Sequence, residues 1–305
     1  MENNPLVSII INCYNSEAYL KETIDSVISQ EYYNWELIFW DNQSSDNSKS
    51  IVFSYNDERI KYFYAPTHTS LGEGRNLALT KVSGDYISFL DADDLLLPQH
   101  LSLLLAAFVS KRVGIVYSNC FIYKQSTNSK MLNDNRVRES GNVYSSWLNY
   151  YNVLLPSVMF RKKVLIGMDE WFDPRFSMVE EYDFFLRIAY KWDCEYVFSA
   201  SSLWRKHDQS LSFRKREQWL LEFKMLYAKI YDFNSTKETI QKLKCMEEHI
   251  AYLEFIESAE NKQIDRSIIS SYIPKNRKLL LAYIVSFLGH QMFNVLLNFF
   301  RKRVN

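Results

Sequence analysis

Three short apolar runs constrain what this chain can become. Val7 to Ile11, Glu36 to Trp40 and Tyr86 to Leu90 are rich in β-branched and aromatic residues and are nearly continuous in their apolar character. A strand with one wet face alternates apolar and polar residues, whereas a continuous run has both faces covered. Between the runs lie stretches of helical spacing. Ser16 to Gln30 carries Tyr19, Leu20, Ile24, Val27 and Ile28, and Asp46 to Tyr55 and Gly74 to Val82 also read as helices. Ile60 to Tyr64 is a further strand. Strand and helix alternate roughly every 20–30 residues, which is the pattern of an α/β fold whose mostly parallel sheet is flanked by helices.

The strand ends are polar. The first run stops at Asn12-Cys13-Tyr14-Asn15, the second at Asp41-Asn42-Gln43-Ser44-Ser45-Asp46, and the run Phe89-Leu90 at Asp91-Ala92-Asp93-Asp94. Parallel strands bring their carboxyl ends to one edge, where α/β sheets bind ligands. Tyr14 can stack on a base, and Asp or Asn side chains such as Asn12, Asp41 and Asn42 can hydrogen-bond to its edge. Asn42 to Ser45 serves equally as an ordinary loop, with Ser45 or Asp46 as an N-cap. Acids packed as closely as Asp91, Asp93 and Asp94 repel one another and need a cation or a hydrogen-bonding partner. A divalent metal carrying phosphates and a solvated turn before a helix from Pro98 both satisfy this stretch.

Val113 to Phe121 reads as another strand, Lys124 to Arg138 as a mobile polar loop, and Tyr144 to Tyr151 and Val179 to Trp192 as helices. After Arg214 the chain turns to long helical segments dense in Lys, Glu, Leu and Tyr. The expected organisation is an α/β domain over 1–213 and a helical extension over 214–305. Lys+Arg and Asp+Glu both number 36, so nothing points to bulk nucleic-acid binding. Cys13, Cys120, Cys194 and Cys245 lie far apart with no CxxC pair, which fits reduced thiols in a cytoplasm. The start Met-Glu-Asn-Asn-Pro lacks a basic region, so no signal peptide is expected. Leu279 to Phe300 has no formal charge, with Arg277-Lys278 before it and Arg301-Lys302-Arg303 after it. It is read as a helix lying on an anionic membrane surface, with packing on the domain and membrane spanning as alternatives.

In order and spacing these motifs resemble the family 2 glycosyltransferases of GT-A fold, over roughly residues 6–213. The resemblance rests on Val7 to Asn15, Trp35 to Asn42, Gly74-Arg75-Asn76, Gly84 to Asp94 and Glu180-Glu181-Tyr182-Asp183. It implies inverting transfer of a sugar from a nucleoside diphosphate, UDP in the first place, to an acceptor hydroxyl. It also implies a Mn²⁺ or Mg²⁺ ion held by Asp93, with Asp91 near the ribose. Asp94 would orient these ligands or cap a helix. Arg75 would contact base or phosphates, or form a structural ion pair with the Asp91 cluster. The family's uracil-reading Asp is Asn42 here, and its usual Pro is Asn12. Glu181 takes the place of the catalytic base, with Asp183 in support, and His207 would reach the diphosphate or the metal. Trp147, Tyr150, Tyr151 and Trp171 are candidates to stack on the acceptor. That acceptor is a saccharide, free or lipid-linked, in bacterial surface-polysaccharide or O-antigen synthesis at the inner face of the plasma membrane. A non-catalytic nucleotide-sugar binding module is the alternative. A phosphohydrolase with an aspartyl nucleophile fits poorly, because it expects its acidic pair after the first strand.

Overall fold

The computed structural model describes residues 4–207, 216–261, 263–272 and 277–287. The chain divides into two compact units, one of Met1–Trp147 with Tyr151–Phe213, the other of Leu148–Tyr150 with Arg214–Asn305.

The first unit is built on strands β1 (Val7–Cys13), β2 (Trp35–Asp41), β3 (Ile60–Tyr64), β4 (Tyr86–Asp91), β5 (Leu95–Leu96), β6 (Val113–Lys124), β7 (Ser129–Leu132), β8 (Val158–Arg161) and β9 (Asp193–Lys206). They form one sheet in the order β3-β2-β1-β4-β8-β6-β9-β5, with β7 paired to β6. Helices α1 (Glu17–Ile28), α2 (Ser48–Phe53), α3 (Leu71–Leu79), α4 (His100–Ala106), α5 (Tyr144–Asn149) and α6 (Glu180–Lys191) accompany it. All seven residues of β2 and all but Asn12 of β1 are buried, which is why these strands lack polar alternation. Leu20, Ile24 and Val27 of α1 are fully buried, each contributing about 1.5–3 kcal/mol relative to exposure.

The register decides where the site forms. Strands β3, β2, β1 and β4 run parallel. Asn12 lies beside both Trp40 and Asp91, and Cys13 beside Asp41. The polar strand ends therefore meet along one edge. Beyond β4 the sheet changes sense: β8 pairs antiparallel with both β4 and β6, while β9 runs parallel to β6 with register shifts between Ser118 and Cys120. Neither β8 nor β9 announces itself in the sequence. The first has four residues, and the second is only partly buried along its length.

Three boundaries differ from the sequence reading. The stretch Lys124 to Arg138 is not a continuous loop, because Ser129–Leu132 folds back on β6 through a turn with Asn128 in the left-handed region (φ 47°). Backbone pairing tolerates polar side chains, and Asn adopts this conformation readily. Helix α3 begins at Leu71 rather than Gly74, because the Ser70 hydroxyl accepts from Glu73 N–H and caps it. The helix expected from Pro98 starts at His100.

In the second unit, α7 (Arg216–Phe233) and α8 (Lys237–Glu260) are joined by the Lys224–Glu254 ion pair and by Tyr227 Oη donating to Glu247 at 2.6 Å. Phe255, Ala259, Ile269 and Leu279 form the buried core of α8, α9 (Ser267–Ser270) and α10 (Arg277–Ser286). Among the described residues, no helix is long and apolar enough to cross a membrane. The segment Leu279 to Phe300 is described only as far as residue 287.

Candidate active site

A buried guanidinium underlies the acidic edge. Arg75 on α3 is 2% exposed, donating from Nη1 to Glu180 Oε1 at 2.6 Å and from Nη2 to Asp91 Oδ1 at 3.0 Å. Its flat cation also faces Phe89 and Phe172. Of the two roles open to Arg75, the ion pair is the one formed, and little of its surface remains exposed. Asp91, at the end of β4, keeps 38% of its side chain exposed. The protein crowded around it pushes its carboxyl up, Asp93 and Glu180 add to this, and Arg75 opposes it.

The next acids divide in role. Asp93 Oδ2 lies 2.9 Å from His207 Nε2, so two residues far apart in the chain converge, with the His207 ring against Tyr19. Asp94 is fully buried and accepts from Arg205 N–H at 2.8 Å. It ties the end of β4 to β9 and caps no helix, since the N-cap of α4 is Gln99. Burial pushes its carboxyl well above the usual range, as do the charges of Asp93 and Asp91. A proton on Asp94 removes one of three clustered charges. Arg205, 2% exposed, donates to the Asp93 carbonyl and to Glu22. Its role was missed in the sequence, because a buried arginine in Trp204-Arg205-Lys206 looks like any surface cation.

The fold brings Asp93 and His207, the expected metal ligands, together. Their donor atoms are aimed at each other at a spacing suited to neighbouring ligands, and Asp93 keeps 31% of its side chain exposed. Among the described residues, no three His, Cys, Asp or Glu side chains form a complete metal cage. Mg²⁺ and Mn²⁺ sites of this type take one or two protein ligands, with phosphate oxygens and waters completing the shell.

At the ends of β1 and β2, Tyr14 is 53% exposed and its ring lies 4.3 Å from that of His68. His68 had no sequence signal. Asp41 is fully buried, accepting from Ser44 N–H at 2.7 Å and from Tyr62 Oη at 2.6 Å. It shapes the Gln43–Ser44 turn, with each carboxylate oxygen engaged within the protein. Asn42 is similarly engaged: Nδ2 donates to Thr69 O, and Oδ1 accepts from Thr69 N–H. Both contacts agree on the orientation of the amide. Asn12 sits against Gly74, where a Cβ would come within 3.1 Å of Asn12 Nδ2, and its buried Oδ1 has no partner among the described residues.

Glu180 and Glu181 open α6, where the helix dipole favours acids. Glu180 is spent on Arg75. Glu181 is partly buried, and burial pushes its carboxyl up to about 8, with the charges of Glu180 and Asp91 adding to the rise and Arg75 opposing it. Asp183 is bound to Arg187 at 2.8 Å and supports the helix. The aromatic candidates scatter. Trp147 is a core residue packed edge-on to Tyr117 and Tyr151, Tyr150 is 50% exposed, and Trp171 lines a cavity at the opposite edge of the sheet. Tyr151 stacks on Tyr182 at 4.1 Å, its buried hydroxyl has no partner among the described residues, and burial pushes its phenol well up, with the charge of Glu181 adding to the rise.

A mixed sheet with parallel polar strand ends on one edge and flanking helices agrees with the GT-A glycosyltransferase architecture. The chain belongs to the family described as Glycosyl transferase family 2, whose sequence profile matches residues 8–168. One relative, the UDP-Glc:alpha-D-GlcNAc-diphosphoundecaprenol beta-1,3-glucosyltransferase WfgD of Escherichia coli, is 37% identical over 114 residues, covering 37% of this chain and 45% of that protein. The chain spans about half the length of the curated relatives it matches. The S. aureus TarS 1–349 structure in complex with UDP-GlcNAc superimposes with a TM-score of 0.67 at 19% identity, covering 88% of this chain and 80% of that one. The Pyrobaculum calidifontis mannosyltransferase PcManGT with GDP-Man and Mn²⁺ gives 0.63 at 14% identity, covering 96% and 86%. These likenesses establish the shared fold.

Proposed function

We propose that this chain transfers a sugar from a nucleoside-diphosphate sugar, UDP-linked in the first place, to an acceptor hydroxyl with inversion at the anomeric carbon. The observation that carries the reading is the Glu181 carboxyl, held up to about 8 beside the Arg75–Asp91 pair. A carboxylate of that basicity takes a proton at neutral pH far better than an ordinary one. Glu181 accepts the acceptor hydroxyl's proton as the oxygen attacks the anomeric carbon, and the bond from that carbon to the diphosphate breaks. Arg75 fixes Asp91 and neutralises Glu180, so that Glu181 is the carboxylate left to act.

Asp93 and His207 would hold Mn²⁺ or Mg²⁺, which neutralises charge on the departing diphosphate. The Tyr14 ring, steadied by His68, supplies a face for the base, while Asn42, Asp41 and Asn12 shape the pocket around it. The relative WfgD, whose name gives UDP-Glc as donor and a diphosphoundecaprenol-linked saccharide as acceptor, supports an acceptor of that class in bacterial surface-polysaccharide synthesis. A cytoplasmic site at the inner membrane face agrees with four free cysteines. Exposed Leu280, Leu281, Ile284 and Phe287 support peripheral contact with the membrane.

The decisive experiment is a panel of UDP- and GDP-sugars with Mn²⁺, scored for binding by thermal shift and for release of nucleoside diphosphate. Binding with turnover that E181Q abolishes supports the transferase. Binding with no turnover on any donor or acceptor would leave a nucleotide-sugar binding module.

A further inference from the structure

A cavity of about 1210 Å³ lies at the amino edge of the sheet, lined by Tyr86, Phe108, Arg161, Lys163, Leu165 and Trp171 among others. Tyr86 opens β4 and Asp91 closes it, so this cavity and the acidic edge stand about 17 Å apart at ~3.3 Å per strand residue. The sugar-transfer reading makes no use of it.

Its charge is unbalanced. Lys111, Arg161, Lys162 and Lys163 line the cavity with a single carboxylate, Asp85. The cations are held by neutral acceptors. Arg161 donates to Val113 O at 3.0 Å and to Tyr86 Oη at 2.5 Å, Lys162 to Val82 O at 2.8 Å, and Lys163 to Lys111 O at 3.1 Å. Among the described residues, none of the four is ion-paired, although the adjacent Arg112 pairs with Asp193 at 3.1 Å. Lys163 feels the crowding: reduced hydration beside the protein surface holds its ammonium below the usual range although the side chain is exposed, and the charges of Arg161 and Lys111 add to this. Around the same mouth Tyr33, Val109 and Ile166 are 69%, 73% and 83% exposed. Single exposed apolar residues are ordinary. Three on the rim of an uncompensated cationic cavity match the two layers of a bilayer surface, anionic headgroups and the acyl boundary beneath them.

We propose that this cavity docks on an anionic membrane, with Lys111, Arg161 and Lys163 taking a lipid phosphate while Tyr33, Val109 and Ile166 enter the acyl boundary. A free phosphate has no need of so large an apolar lining or of a greasy rim. The site lies on the first unit and shares no residue with the acidic edge.

The test is co-sedimentation of the full chain with phosphatidylcholine vesicles, with and without phosphatidylglycerol. Wild type is expected to bind the phosphatidylglycerol vesicles. K111E/K163E is expected to need at least about tenfold more lipid, since each lysine near an anionic surface contributes severalfold, and I166S to weaken binding as well. Both lysines and Ile166 are exposed, and an unchanged UDP–Mn²⁺ thermal shift checks that the variants are folded. The proposal is overturned if wild type ignores the anionic vesicles or if K111E/K163E binds like wild type. It is equally overturned if inorganic phosphate competes fully while I166S binds unchanged, which marks a free-phosphate site. None of these outcomes depends on sugar transfer, so failure here and failure of the transferase reading are separable.

Discussion

Arg75 and Glu180, 105 residues apart in sequence, form a 2.6 Å ion pair in which both side chains are almost wholly buried. The same guanidinium holds Asp91, so one cation neutralises acids from two separate motifs.

Removing that cation leaves a buried carboxylate without its partner. R75M is expected to lose about 3–5 kcal/mol of stability, the usual cost of breaking a buried pair from one side. Urea denaturation measures it, and a loss under ~1 kcal/mol would mean that Glu180 and Asp91 find other partners. Arg75 also holds the Glu181 pKa down, so any activity that survives should show its rising acid limb at higher pH.

Glu181 makes both activity and stability depend on pH. As a base it must be deprotonated, so kcat/KM should rise with pH below about 8 and level off above it. E181Q should retain donor binding while transfer falls about 10²–10⁴-fold. The folded chain holds the Glu181 proton more tightly than the unfolded chain, whose ordinary value is 4.5. That contribution to stability is full below about 4.5 and is lost as pH rises through about 8. The Tm gap between E181Q and wild type should therefore shift in favour of E181Q over this range, and a gap that is flat with pH would reassign the base.

Asp93 and His207 are testable without turnover. With UDP at about 100 times its Kd, bound ligand stabilises by ~2.7 kcal/mol. D93A should lose the Mn²⁺-dependent part of the resulting thermal shift, and H207A should lose part of it. An undiminished shift in D93A would move the metal elsewhere.

Asn42 shows why a family position departs from its usual residue. The Nδ2 amide donates to Thr69 O at 2.9 Å, and a carboxylate there would face that carbonyl with no proton to offer. N42D should cost about 1–3 kcal/mol. It should also raise KM for the donor, since the loop it holds carries His68 against Tyr14. A variant as stable as wild type would show that this loop tolerates either residue.

Much of the sheet was legible because local composition carries it. The apolar runs of β1, β2 and β4 follow from burial of both faces, and their polar ends mark the edge. The β6–β7 hairpin was hidden because polar side chains mask a pairing made by backbone groups. Likewise, β8 and β9 owe their strand state to partners distant in sequence. Among site residues, Asp91, Asp93, Glu181 and His207 were named from motifs. The parts played by His68, Tyr19, Tyr62 and Arg205 were not, since each acts through a contact rather than a pattern.

The sequence by itself determined that the acidic strand end Asp91–Asp94 would share an edge with the ends of β1 and β2, because parallel pairing of fully buried strands leaves no other arrangement. Only the tertiary structure decided what each acid does there. Asp94 is bound to Arg205, Glu180 to Arg75, and Asp93 faces His207, while Glu181 feels the Arg75 charge without an ion pair among the described residues and keeps a raised pKa. Charge state depends on burial and on neighbours brought from far along the chain, and neither is written in the local order of residues.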